Sequence, residues 1–167
     1  EEVKKRKEYF IQLLRSSDRS IRLSAWSNVI DLIDKGVLTP DDVKGEVEYL
    51  IQLLVSGKEA WNILNELFRR GVIADVKEFI KLLSHQDKNV REKAWDYTLK
   101  LIEKGVRESE FLNLLTFPDE NVRVDAWLNV TALLNTGILT VEEVRKRKEY
   151  FLKLLESKDE EIRYKAW

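Results

Sequence analysis

Apolar residues cluster along this chain at helical spacing in five places, each ending in a Leu-Leu pair. Phe10-Ile11 leads to Leu13-Leu14, Leu50-Ile51 to Leu53-Leu54, Phe79-Ile80 to Leu82-Leu83, Phe111-Leu112 to Leu114-Leu115, and Phe151-Leu152 to Leu154-Leu155. Apolar positions at i, i+1 and i+4 share one face of a helix, termed helix A here. A short polar turn follows each pair, and then a second pattern, Asp-x-x-[Ile/Val]-Arg-x-x-Ala-Trp, runs over Asp18 to Trp26, Asp87 to Trp95, Asp119 to Trp127 and Asp159 to Trp167. Asp at its head suits an N-cap, accepting bonds from N–H groups that have no partner within the helix. Leu32-Ile33, Leu67-Phe68, Leu101-Ile102 and Leu133-Leu134 continue the apolar face of this helix B. Gly36, Gly71, Gly105 and Gly137 then stop it, and Val37, Val72, Val106 and Ile138 are placed to fold back in a Schellman-type stop.

Self-similarity at a fixed period is the mark of a repeat array in which each unit buries its apolar face against its neighbours. The pattern predicts an all-α, right-handed α-solenoid of about four and a half antiparallel helix pairs, read as one domain over 1–167. Its units cover about 1–37, 38–71, 72–105, 106–137 and 138–167, the last incomplete. Helix A restarts at Thr39-Pro40-Asp41-Asp42 and at Thr140-Val141-Glu142-Glu143, the second a capping box. The second unit lacks the Asp and Arg and substitutes Ser56-Gly57-Lys58-Glu59 as turn and cap, so an irregularity in curvature is expected there.

Composition narrows the function classes. With 29 basic and 30 acidic residues, the net charge of −1 exerts no global pull on nucleic acid or anionic lipid. Cysteine is absent, which removes disulfides and thiol chemistry. The chain shows no signal-peptide pattern and no apolar run long enough for a membrane span, so the cytoplasm is the expected location. Abundant Lys, Glu and Arg without Cys or Met fits a thermophile protein, and equally an engineered array. Opening on Glu1 within a helix, the chain is expected to be trimmed from a longer one.

The tryptophans invite a functional reading, since periodic aromatics can stack bases or anchor a peptide. Trp26, Trp61, Trp95 and Trp127 each follow an alanine that must approach another helix closely, which assigns them to packing between repeats. Full burial of one ring contributes about 4 to 6 kcal/mol at most. The basic runs Lys4 to Lys7 and Arg145 to Lys148 are diluted by neighbouring acids, with Glu1–Lys5 and Glu143–Arg147 as expected ion pairs. Val3 to Leu14 and Val144 to Leu155 agree at nine of twelve positions, the mark of a duplicated or reused block, and end-to-end self-association is the expected consequence. His85 is the only histidine and lies in an A-to-B turn, so the chain offers no His-rich metal site, no Ser-His-Asp arrangement and no phosphate-binding glycine loop. Catalytic residues, metal ligands and cofactors are expected to be absent.

The Asp-x-x-[Ile/Val]-Arg-x-x-Ala run in an antiparallel helix pair resembles HEAT-like repeats, an α-solenoid family that reaches, more distantly, to the alkylpurine DNA glycosylases. That resemblance implies a ladder of Asp18, Asp87, Asp119 and Asp159 with Arg22, Arg91, Arg123 and Arg163 between successive repeats. It also implies a concave helix B surface that receives a protein or peptide. Ser27, Asn28, Asp31, Asn62, Asp96, Tyr97 and Asn129 are the candidate contact residues. The expected function is a non-catalytic protein-interaction scaffold. The alternatives are a nucleic-acid-binding, glycosylase-related protein, which is disfavoured, and an engineered or purely structural repeat module.

Overall fold

The computed structural model describes residues 1–72, 76–103, 105 and 110–167, with backbone only for 76–78, and every regular element among them is helical. It divides into two compact units, Glu1–Glu78 and Phe79–Trp167.

In the first unit α1 (Glu2–Leu14) and α2 (Arg19–Asp34) form an A and B pair. The Asp18 carboxylate accepts from the N–H of Ser20 and Ile21, which starts α2. Its stop is a Schellman motif: Gly36 lies at φ +71°, its N–H bonds to the Ile33 carbonyl, and the N–H of Val37 bonds to that of Leu32. The apolar contact expected of Val37 is made one residue later, because Val37 is 47% exposed while Leu38 is buried. Leu139 likewise replaces Ile138 after Gly137, whereas Val72 buries directly after Gly71; Val106 lies outside the described residues.

Helix A of the next repeat is bent, α3 (Pro40–Lys44) giving way to α4 (Val47–Ile51) and a 3-10 turn over Leu54–Ser56. Thr39 and Asp42 close a capping box, and seven residues after Thr39 the backbone of Glu46 departs from helical values. Its helix B, α5 (Lys58–Arg69), begins at Gly57 without a side-chain cap, so the expected cap at Ser56 to Glu59 does not form. Leu14, Trp26, Val29, Val43, Leu50, Leu64 and Leu67 are the buried centre of this unit.

The second unit is built by α6 (Val76–Leu83), α7 (Lys88–Glu103), α8 (Phe111–Leu115), α9 (Glu120–Leu128), α10 (Val130–Asn135), α11 (Val141–Arg145), α12 (Lys148–Leu155) and α13 (Glu160–Ala166), the first three residues of α6 lying before its boundary. Asp119 and Asp159 cap α9 and α13 as Asp18 caps α2. Thr140 and Glu143 make a second capping box, and seven residues on, at Arg147, helix A bends as it does at Glu46. Helix α9 packs on both α12 and α13, where Val124, Leu154 and Ile162 form a buried cluster flanked by Trp127, Phe151 and Ala166.

Candidate interaction surface

The tryptophans are tied to the helix pairs by a bond that apolar spacing did not reveal. The Trp26 indole N–H donates to the Leu14 carbonyl at 3.1 Å, Trp127 to Leu115 at 2.9 Å and Trp167 to Leu155 at 3.3 Å, each spanning twelve residues. Each acceptor is the second leucine of a Leu-Leu pair, at the end of helix A where carbonyls lack helical partners. Trp61 reaches Leu54 at 3.1 Å across the shorter turn. Trp95 is buried too, and its N–H finds no partner among the described residues. Trp26, Trp61 and Trp95 are thus inside and Trp127 is partly buried, while Trp167 is 85% exposed.

Three of the four arginines of the repeat are held at the turn before their own helix, and Arg22 reaches the following helix A. Arg91 donates to Asp125 at 2.7 Å and to the carbonyls of His85 and Gln86. Arg123 reaches the Phe117 carbonyl, Arg163 that of Ser157, and Arg22 the Gln52 amide oxygen at 2.8 Å. Asp18, Asp87, Asp119 and Asp159 meanwhile bond to N–H groups at the starts of their own helices. The ladder therefore takes another form: the aspartate lone pairs are spent on capping, and the guanidinium groups of Arg91, Arg123 and Arg163 staple the turns before their helices, while Arg22 reaches Tyr49 and Gln52 of the following helix A; among the described residues Arg91 is the one of the four that bonds to a carboxylate of the next helix B. His85 belongs to the same turn, its Nδ1 accepting from the Asp87 N–H at 3.0 Å.

Among the candidate contact residues, Asp31, Asn62 and Asp96 are exposed on α2, α5 and α7. Ser27 and Asn28 are exposed but bond back to the Leu23 and Ser24 carbonyls, and Ser27 also meets Glu59 of α5 at 3.3 Å. Asn129 is partly buried at the α9–α10 break and donates to the Asp125 carbonyl at 2.8 Å. Tyr97 is a correction. It is buried, stacked on Phe79 at 4.8 Å, and burial drives its phenol pKa upward. Helix A supplies this ring from another element, which the helical wheel of α7 alone does not show.

Ion pairs engage several of the basic side chains of both units. Arg70 grips Asp34 through two bonds of 2.7 and 2.8 Å and Glu66 through a third, which lowers both carboxyl pKa values and raises that of the guanidinium. Arg15 clasps Glu46 at the helix bend. In the basic runs the pairs among the described residues are Arg6–Glu2, Lys7–Asp42 and Lys146–Glu142. Arg147 bonds to the Glu143 carbonyl instead of its carboxylate, which is engaged in the capping box. Among the described residues no cluster of metal-binding side chains occurs, and no helix is long and apolar enough to cross a membrane.

Among the described residues the chain is an all-α protein whose sequence pattern recurs in successive helix pairs. No family model matches it, and no curated protein matches it. It is similar to the crystal structure of an engineered protein, 23% identical over 96% of this chain and 76% of that one, with a TM-score of 0.37. A second engineered protein is 16% identical over 96% and 95%, with a TM-score of 0.34. A designed armadillo repeat protein is 18% identical over 95% of each chain, with a TM-score of 0.30.

Proposed function

We propose that the chain is a non-catalytic scaffold whose helix B surface receives a protein or peptide. One observation carries this reading: Trp26, Trp61 and Trp95 are consumed by packing, which leaves short polar and acidic residues, Asp31, Asn62 and Asp96, exposed on buried-faced helices. Short side chains on a fixed backbone lose little entropy when a partner covers them. Trp26, Trp61 and Trp95 are withdrawn from the surface as stacking platforms, which speaks against a nucleic-acid site built on the tryptophan stripe. The module repeated at residues 1–26 and 142–167 favours, as a second reading, an engineered array.

Peptides selected from a random library on the intact chain test the proposal. Alanine at Asp31 and Asn62 of the first unit, or at Asp96 of the second, is expected to weaken the peptides selected on that unit at least tenfold, about 1.4 kcal/mol, without shifting the melting temperature. Peptides that ignore these substitutions would overturn it. So would mixed-sequence DNA binding tightly at low salt with an affinity falling steeply as salt rises.

A further inference from the structure

Residues 1–26 and 142–167 are one module written twice, 141 positions apart (154 − 13 = 141). Beyond the helix A match, Ser16, Asp18, Ile21-Arg22 and Ala25-Trp26 recur as Ser157, Asp159, Ile162-Arg163 and Ala166-Trp167. The two copies are covered on opposite sides. Leu13 and Ile21 are 46% and 47% exposed, while their counterparts Leu154 and Ile162 are 0% and 2% exposed. Conversely Trp26 is 0% exposed and Trp167 85%.

The structure shows what seats on the face that the first copy leaves open. In the second copy it is α9: Val124 packs on Leu154 and Ile162, the Trp127 ring lies 5.2 Å from Phe151, and Glu120 accepts the Ser157 hydroxyl at 2.6 Å. Forty residues later α13 repeats α9, placing Glu160, Tyr164 and Trp167 where α9 has Glu120, Val124 and Trp127 (164 − 124 = 40). Tyr164 and Trp167 are 84% and 85% exposed. Helix α13 thus matches the occupant, and the α1–α2 pair carries a groove lined by Phe10, Leu13, Ser20, Ile21 and Ser24.

We propose that copies of this chain associate head to tail, α13 of one molecule seating in the α1–α2 groove of the next. Tyr164 covers Leu13 and Ile21, Trp167 stacks on Phe10, and Glu160 accepts from Ser16. Size is matched as well as chemistry: the groove has Ser20 and Ser24 where the covered module has Glu161 and Lys165, and that room takes the larger Tyr164 in place of valine. Such a contact joins two different surfaces, so every added copy offers a fresh end.

Sedimentation equilibrium of the intact chain from about 1 μM to about 1 mM tests this, a span covering weak to moderate association. Mean mass is expected to rise with concentration. Ile21→Asp in the groove, and Tyr164→Asp with Trp167→Ala on the tail, are each expected to weaken association about 100-fold. Both sites are exposed, and circular dichroism checks that each variant is folded. A mixture of the two is expected to form a dimer that grows no further, since one intact groove meets one intact tail. A wild-type chain that stays monomeric throughout, a groove variant that associates like wild type, or a mixture of folded variants that stays monomeric would each overturn the proposal.

Discussion

Trp26 and Trp167 carry the same indole-to-carbonyl bond, yet one ring is enclosed and the other is in solvent. Their substitutions should separate accordingly. Trp26→Ala is expected to cost about 3 to 5 kcal/mol in denaturant unfolding, because it leaves a large cavity and an unpaired carbonyl. Trp167→Ala is expected to cost less than about 0.5 kcal/mol at dilute concentration, as a surface change does. The Thr98 hydroxyl is buried without a partner among the described residues, so Thr98→Val is expected to be neutral or to stabilise by about 1 kcal/mol. Asp125→Ala strips a carboxylate from buried Arg91, which keeps its two carbonyl contacts; about 2 to 3 kcal/mol is the expected loss. Trp26, Trp61 and Trp95 are buried beside their alanines, whereas the burial of Tyr97 did not follow from its surroundings in sequence. Its burial comes from Phe79, eighteen positions away on a different helix (97 − 79 = 18).

At the scale of the element, capping is local chemistry and was legible: Asp18, Asp119 and Asp159 cap, and Gly36 and Gly137 stop, where the pattern placed them. The bends in helix A were not legible. Val3 to Leu14 lies within a continuous helix while the nearly identical Val144 to Leu155 is broken at Arg147. The difference lies upstream, where Thr140 draws the Glu143 carboxylate into a capping box; the corresponding Glu2 pairs with Arg6. Asp42 and Glu143 both have lowered pKa values, first from the Thr N–H bonds of their boxes. A carboxyl whose pKa is depressed on folding stabilises fully above its unfolded value and loses that contribution as pH falls through the folded one. Stability is therefore expected to hold above about pH 5 and to decline below about pH 4, with Asp42→Asn and Glu143→Gln flattening the decline. Acid titration followed by circular dichroism measures it.

For the whole molecule, each repeat brings one Ala-Trp pair, and four of the five indoles donate to a carbonyl near the end of the preceding helix A. Arrays stabilised by nearest-neighbour contacts need not unfold in a single step. The periodic tryptophan thus has an optical consequence: every repeat holds its own fluorophore, in an environment set by that repeat's packing. Keeping one indole at a time, with phenylalanine at the others, converts the chain into a set of position-resolved reporters. Emission from Trp61, whose helix lacks a side-chain cap, is expected to shift red at lower denaturant than emission from Trp26. Coincident transitions would instead show that the first unit melts as one cooperative block, its internal repeats sharing a single fate.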